Sequence, residues 1–367
     1  MLPPVLMDSR FLGQFLMPGL SGPRLDGPTR RLIREIQPGG FALGAHNIES
    51  ARQLRALTDE LRSVCRDEPV IALSGEGGPA AALRALGLAM PSAACLAATG
   101  DHSLIFRHGD ITGRALRLLG LPMAFGPVLD LCSGDVGRDG ALHGRCWGST
   151  PDEVVSRAQV VVAALRHAGV RACALHFPTY AASGLDLQRD LPVLPGSIDE
   201  LLSGPARPFL GLLPDFHAVM TAHVLLPEIP SMAGLPASLG RAAVTAFLRD
   251  QLGFAGLVLT DDLAAPALRR RLATPEACAL AIEAGNDMVL CSVPMQEIPG
   301  LVEAIARQPH TVLDDALQRI ERFRRRMPRL VSFDAASWHR VVVDAAALGH
   351  DIPGMDERPS PATVTPS

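Results

Sequence analysis

Short runs of apolar residues recur along the chain, each followed by a polar loop and then by a stretch whose apolar positions fall at helical spacing. The runs at 40–44, 70–74, 123–131, 170–177, 218–224, 257–260 and 287–291 are mostly bounded by Gly or Pro and show little alternation with polar residues. Strands buried on both faces need that continuous pattern, whereas a strand with one wet face alternates. Seven strands are predicted in this way, and an eighth is not evident.

Helices are predicted between them. Ser50 and Gln53 have capping-box spacing, and Leu54, Leu57, Leu61 and Val64 then form one apolar stripe. Thr150, Pro151 and Glu153 supply an N-cap, a proline at the first helical position and an acid at the third. Thr274-Pro275 opens a further helix that runs to Ala284, before Gly285. Strands and helices alternating over about 300 residues suit a parallel α/β fold, either a closed barrel or an open doubly wound sheet. The stretch 184–214, rich in Pro and Gly, reads as an inserted loop with one helix. An arginine-rich helix is expected at 313–327, and the tail ending ERPSPATVTPS is expected to be disordered at its end.

Composition narrows the picture. The 48% hydrophobic share among 367 residues is ample for a large core and excludes a disordered chain. Lys+Arg number 34 against 38 Asp+Glu, and the net charge of −4 is not gathered into blocks, so nucleic acid is not an expected partner. All 34 cations are arginine, which excludes a Schiff-base lysine or a P-loop lysine. Cys65, Cys95, Cys132, Cys146, Cys173, Cys278 and Cys291 are scattered with no C-x-x-C pair, which predicts reduced thiols and neither a disulfide framework nor a zinc site. No basic segment leads into a long apolar one at the N-terminus, and no apolar run approaches the roughly 18 residues of a membrane helix. A soluble, cytoplasmic protein without membrane partners is expected.

In parallel α/β folds chemistry gathers at the C-terminal ends of the strands. Those ends carry Ser74-Gly75-Glu76-Gly77-Gly78, Asp130, His176, His223, Asp261-Asp262 and Asp287. The adjacent pair Asp261-Asp262 has three readings: metal ligands, a base or nucleophile, or a cap on the following helix. Gly75-Glu76-Gly77-Gly78 lacks the spacing of a dinucleotide fingerprint, so no redox cofactor is expected, and no His-x-His or His-Glu-x-x-His spacing supports a metal.

The ordered set PGLSGPRLD, SGEGG, FGPVLDL, GRCWGSTPDEV, LHFP, TAHV, QLGFAGLVLTDDL and AIEAGNDMVL resembles the catalytic barrel of glycoside hydrolase family 3, in its bacterial β-N-acetylhexosaminidase-like branch. The resemblance spans about residues 11–327 and implies a (β/α)8 TIM-type barrel at 1–330, possessing an irregular or missing strand, with residues 331–367 as an extension. It implies a retaining mechanism on a small carbohydrate or β-glycoside, with no cofactor and Asp261 as nucleophile. Arg145, His176 and Asp130 match sugar-binding positions of the family, and Ser74 and Glu76 fall in the motif that binds sugar hydroxyls. Each also has a plain reading: a solvated loop arginine, a core histidine, a loop cap. His223 matches a family histidine for which packing is as good an explanation as substrate contact.

Several positions depart from the family. Ser74 and Gly75 stand where Asp-Gln opens the Asp-Gln-Glu-Gly-Gly motif, and Pro79-Ala80-Ala81-Ala82 lacks the arginine that follows, with Arg84 nearby. Leu175 replaces a lysine, and Pro178-Thr179-Tyr180 replaces Pro-Gly-His. In the loop that carries the family's Asp-x-His acid/base pair, Asp186 matches the aspartate and Gln188 the histidine. A glutamine cannot do general acid/base work, a loss of about 10²–10⁴-fold in rate. His143, on the loop that carries Arg145, is the best spare titratable group to serve as a substitute acid. Two functions follow: a weak or altered glycosidase, or a barrel that binds sugar without turning it over.

Overall fold

The computed structural model describes residues 9–78, 81–132, 142–180, 190–232 and 234–352. Its strands are β1 (Leu16–Pro18), β2 (Gly40–Ala42), β3 (Val70–Ser74), β4 (Met123–Val128), β5 (Arg171–Phe177), β6 (Ala218–Thr221), β7 (Leu257–Thr260) and β8 (Val289–Cys291). β2 to β7 pair in chain order, every pair parallel, and β1 pairs with β8. Single parallel bridges, Gly19 to Ala42 and Leu259 to Met288, join the two pieces, so eight strands follow one another in a ring. This is the TIM-type arrangement of the glycoside hydrolase resemblance. The strand that the hydrophobic pattern did not reveal is β1: three residues are too few to show a period.

β3, β4 and β5 are buried almost throughout, as continuous apolar runs require. Phe41, Ile71, Leu73 and Phe177 have no exposed surface, and burying each side chain contributes about 1.5–3 kcal/mol. Phe177 meets Phe209 edge-on at 5.3 Å and Phe247 at 5.4 Å, tying β5 to the helices outside it. The runs predicted to 131 and 224 stop earlier as strands, at Val128 and Thr221, and their remaining residues lie at the mouth of the ring.

The predicted caps form. Ser50 Oγ accepts from Gln53 N–H, and Thr150 Oγ1 accepts from Glu153 N–H above Pro151. Gly285 ends Thr274–Ala284 at φ 108°, a left-handed conformation glycine adopts without a Cβ clash. The described part of the inserted stretch, from 190 on, holds two short α-helices, Ile198–Ser203 and Arg207–Leu212, where one was expected. The arginine-rich helix runs His310–Arg325. A further helix, Ala335–His350, packs on His102–Leu118, with Arg107 and Arg114 paired to Asp351 and Asp344. Among the described residues no helix is long and apolar enough to cross a membrane.

Asp287 corrects one strand-end expectation. It precedes β8 rather than following it, which puts it at the opposite end from the mouth. There its fully buried carboxylate accepts from Arg249 Nη2 (2.8 Å), Arg319 Nε (2.6 Å) and Val258 N–H (2.8 Å). Those partners make it a structural anchor of the barrel floor.

Candidate active site

A cleft of ≈ 730 Å³ opens at the C-terminal mouth. Ser74, Arg145, Leu175, His176, Asp261 and Asp262 line it, together with Tyr180. Segments at the ends of several different strands bring these residues into one place, the arrangement by which barrels assemble sites.

Asp261 directly follows β7, and its backbone N–H donates to the Thr221 carbonyl at 2.9 Å, which fixes the start of its side chain. Both carboxylate oxygens are held: Oδ1 accepts from Asp262 N–H and Oδ2 from the Tyr180 hydroxyl, each at 2.8 Å. Burial pushes the Asp261 carboxyl up. The imidazoles of His176 and His223, the Tyr180 hydroxyl and the Asp262 N–H together outweigh it and hold the group below the usual aspartate range. The neighbouring carboxylate does different work. Asp262 Oδ1 accepts from Ala264 N–H and Ser292 N–H, both 2.9 Å, capping the turn after β7 and tying it to the end of β8.

Behind the cleft stand groups that hold those in front. Asp130 is wholly buried and accepts from His176 Nδ1 (2.9 Å), Thr179 Oγ1 (2.8 Å) and Tyr180 N–H. Because the carboxylate only accepts, His176 Nδ1 carries the hydrogen, and Nε2 is the nitrogen left for other work. Glu76 likewise backs Arg145: Arg145 Nε donates to Glu76 Oε2 at 2.7 Å, and Ser74 Oγ donates to the same oxygen at 3.3 Å. Burial pulls the Arg145 guanidinium down, but the Glu76 carboxylate, together with the charges of Asp130 and Asp261, outweighs it and holds the group above its ordinary value. Asp130 and Glu76, both read from the sequence as sugar-binding, do not line the cleft in this structure; each orients a residue that does.

The SGEGG run shows why glycine is needed there. A Cβ on Gly77 would lie 1.9 Å from the Pro91 carbonyl, so only glycine lets the chain pass while Glu76 points to Arg145. Cys132 and Cys146 are joined as a disulfide, which corrects the expectation of reduced thiols only; Cys65, Cys95, Cys173, Cys278 and Cys291 are free. The pair is 14 residues apart, a spacing no short-motif rule covers, and it links the segment after Asp130 to the residue after Arg145.

His223 is fully buried and outside the cleft. Its Nδ1 meets Ser238 Oγ at 2.6 Å, its Nε2 donates to the Asp262 carbonyl at 3.0 Å, and its N–H donates to the Tyr180 hydroxyl at 2.7 Å. His143 is exposed and does not line the cleft. Asp186 and Gln188 lie outside the described residues. The residue that sequence reasoning passed over is Tyr180, noticed only as a departure from Pro-Gly-His. Its one available signal was its rarity, since it is the sole tyrosine of the chain.

Comparison with known proteins completes the picture. A "Beta-hexosaminidase" of Alkalilimnicola ehrlichii is 33% identical over 312 residues, covering 83% of this chain and 88% of that protein. The structure of a glycoside hydrolase family 3 beta-N-acetylglucosaminidase from Paenibacillus sp. str. FPU-7 superposes with a TM-score of 0.83 at 27% identity, covering 93% of this chain and 68% of that one. NagZ from Neisseria gonorrhoeae, solved with N-trifluoroacetyl-D-glucosamine, shares the fold with a TM-score of 0.75 at 23% identity, covering 94% and 98%. The family description "Glycosyl hydrolase family 3 N terminal domain" matches residues 9–323. With that match over most of its length, and a relative 33% identical over 83% of it, the chain belongs to glycosyl hydrolase family 3.

Proposed function

We propose that this protein is a retaining β-glycosidase of small N-acetylhexosaminide-like substrates, with Asp261 as nucleophile and with weak protonation of the leaving group. The observation that carries the reading is the placement of Asp261: at a strand end, in the cleft, ionised, with both oxygens oriented by fixed donors. In such a reaction a carboxylate oxygen forms a bond to the anomeric carbon while the bond to the aglycone oxygen breaks, its electron pair leaving with that oxygen. Water then attacks the same carbon, the ester bond breaks and its pair returns to the carboxylate, while water's proton passes to solvent and balances the charge that left with the aglycone oxygen. Arg145 supplies donors, and His176 Nε2 an acceptor, toward sugar hydroxyls. The named activities of the β-hexosaminidase relatives, and the amino sugar bound by NagZ, support the substrate class.

Three features support weak or altered turnover. Gln188 replaces the family's acid/base histidine, which removes about 10²–10⁴-fold for substrates that need protonation. Leu175 brings an apolar side chain to the cleft where the family has a charged donor, and Ser74 points to Glu76 where the family has an acid. Each lost charge-assisted contact to a hydroxyl costs about 1.5–3 kcal/mol. The same three residues favour the second reading, a sugar-binding barrel without turnover. Assaying dinitrophenyl and simple alkyl β-N-acetylglucosaminides side by side separates them. The proposal expects measurable turnover of the first and little of the second; equal, vigorous turnover of both contradicts the weak-acid reading, and none of either on a broad sugar panel favours the binding barrel.

A further inference from the structure

We propose that Tyr180 sets the balance between the two half-reactions of the glycosidase, favouring release of the sugar from Asp261 over its capture, through the hydrogen bond its hydroxyl gives to Asp261 Oδ2. The inference rests on the reading of Asp261 as nucleophile.

The phenol is fixed at three levels. Its backbone N–H donates to Asp130, its ring lies 4.9 Å from the His176 ring, and its oxygen accepts from His223 N–H at 2.7 Å. With that acceptor position filled, the hydroxyl hydrogen is directed to Oδ2 at 2.8 Å. Burial, then the Asp261 charge, push the phenol well above its ordinary value, so it stays a donor. A hydrogen bond of this kind is strongest when the carboxylate bears its full charge and weaker when the carboxylate is an ester. It therefore stabilises Asp261 before attack and again as a leaving group. Stabilising the free carboxylate slows attack on the anomeric carbon. The same bond speeds the second step, in which water's oxygen joins that carbon, the ester bond gives its electron pair back to Asp261, and a water proton passes to solvent.

The test uses the intact protein, a dinitrophenyl β-glycoside and pre-steady-state kinetics. In Tyr180→Phe the hydrolysis of the glycosyl-enzyme is expected to fall about 10- to 100-fold, the worth of a hydrogen bond to a charged group. Its formation is expected to hold or to rise, because the free carboxylate is no longer stabilised, so a burst of dinitrophenolate appears. Because the chain has one tyrosine, growth on 3-fluorotyrosine labels this position alone. The fluorophenol is a stronger donor and shifts the ratio of the two rates the other way, and its ¹⁹F resonance moves when the glycosyl-enzyme is trapped. This second protein decides the matter if Tyr180→Phe does not fold. Equal falls in both steps, or a ratio unmoved by fluorination, overturn the inference while leaving the Asp261 reading intact. A trapped sugar found on another residue overturns that reading and this inference together.

Discussion

Replacing Asp130 with asparagine tests whether the cleft depends on what stands behind it. Asp130 has no exposed surface and takes three donors, His176 Nδ1, Thr179 Oγ1 and Tyr180 N–H. An amide keeps its carbonyl toward Thr179 and Tyr180 and turns its NH₂ toward His176. Two donors cannot face each other, so the imidazole must move its hydrogen to Nε2 and accept at Nδ1. Three bonds to a charged carboxylate, about 1.5–3 kcal/mol each, become neutral ones at about 0.5–1.5, a combined loss of about 3–4.5 kcal/mol. The nitrogen left for other work changes from acceptor to donor, and kcat/KM on a dinitrophenyl glycoside is expected to fall at least about tenfold. Nitrogen-15 imidazole spectra, with His176 assigned by its disappearance in His176→Gln, read the tautomer directly, and calorimetry reads the stability. An Asp130→Asn protein with unchanged melting temperature and His176 still protonated at Nδ1 would refute the reasoning.

Other expectations follow from the same geometry. The Asp261 carboxyl titrates below the ordinary aspartate value of about 3.9. Its contribution to stability is present above that value and fades as pH falls through the lower native one, so the acid limb of kcat/KM belonging to it should also lie below about 3.9; a limb near 6 assigned to Asp261 by its absence in Asp261→Asn would contradict this. Burial lowers the His108 imidazole to about 4, so the unfolded chain takes its proton first and stability falls by about 3 kcal/mol between pH 6.5 and 4. His108→Phe should flatten that part of the stability curve, and a His108 ring resonance that titrates near pH 6.5 would exclude the effect. Asp287→Ala strands Arg249 and Arg319 against the barrel floor and should cost about 3–5 kcal/mol; a denaturation midpoint within error of the parent would refute the anchor. Finally, Ser74→Asp, Leu175→Lys and Gln188→His combined should raise alkyl β-N-acetylglucosaminide hydrolysis by at least about 10²-fold, and no gain would count against the departures as the cause of weak turnover.

Much of the fold was legible because buried parallel strands and capped helices write themselves locally. Ser50, Thr150 and Gly285 announced their helix ends, and continuous apolar runs announced seven strands. β1 escaped because three residues, Leu16–Pro18, carry no period and owe their place to β8, far away in sequence. Asp287 was read as a strand end although it opens the run 287–291, and chain direction puts the first residue of a parallel strand at the end away from the mouth. The Cys132–Cys146 pair depends on two segments meeting in space, which spacing alone does not encode.

The site divides along the same line. Residues beside a strand end, Asp261 and His176, could be placed from the chain's own order, because the barrel fixes where a strand end faces. Which groups line the cleft and which stand behind depends on side-chain direction in the loops. Asp130 and Glu76 therefore read like cleft residues and proved to be supports, while Tyr180 read as a gap in a motif and proved to hold Asp261.

The most direct test of the account is to inactivate the protein with a slow fluorinated β-glycoside, digest it, and locate the added mass by fragmentation. A single sugar on Asp261 is expected, lost on incubation in buffer with return of activity. A sugar on any other side chain, or a product released with inverted configuration, would contradict it.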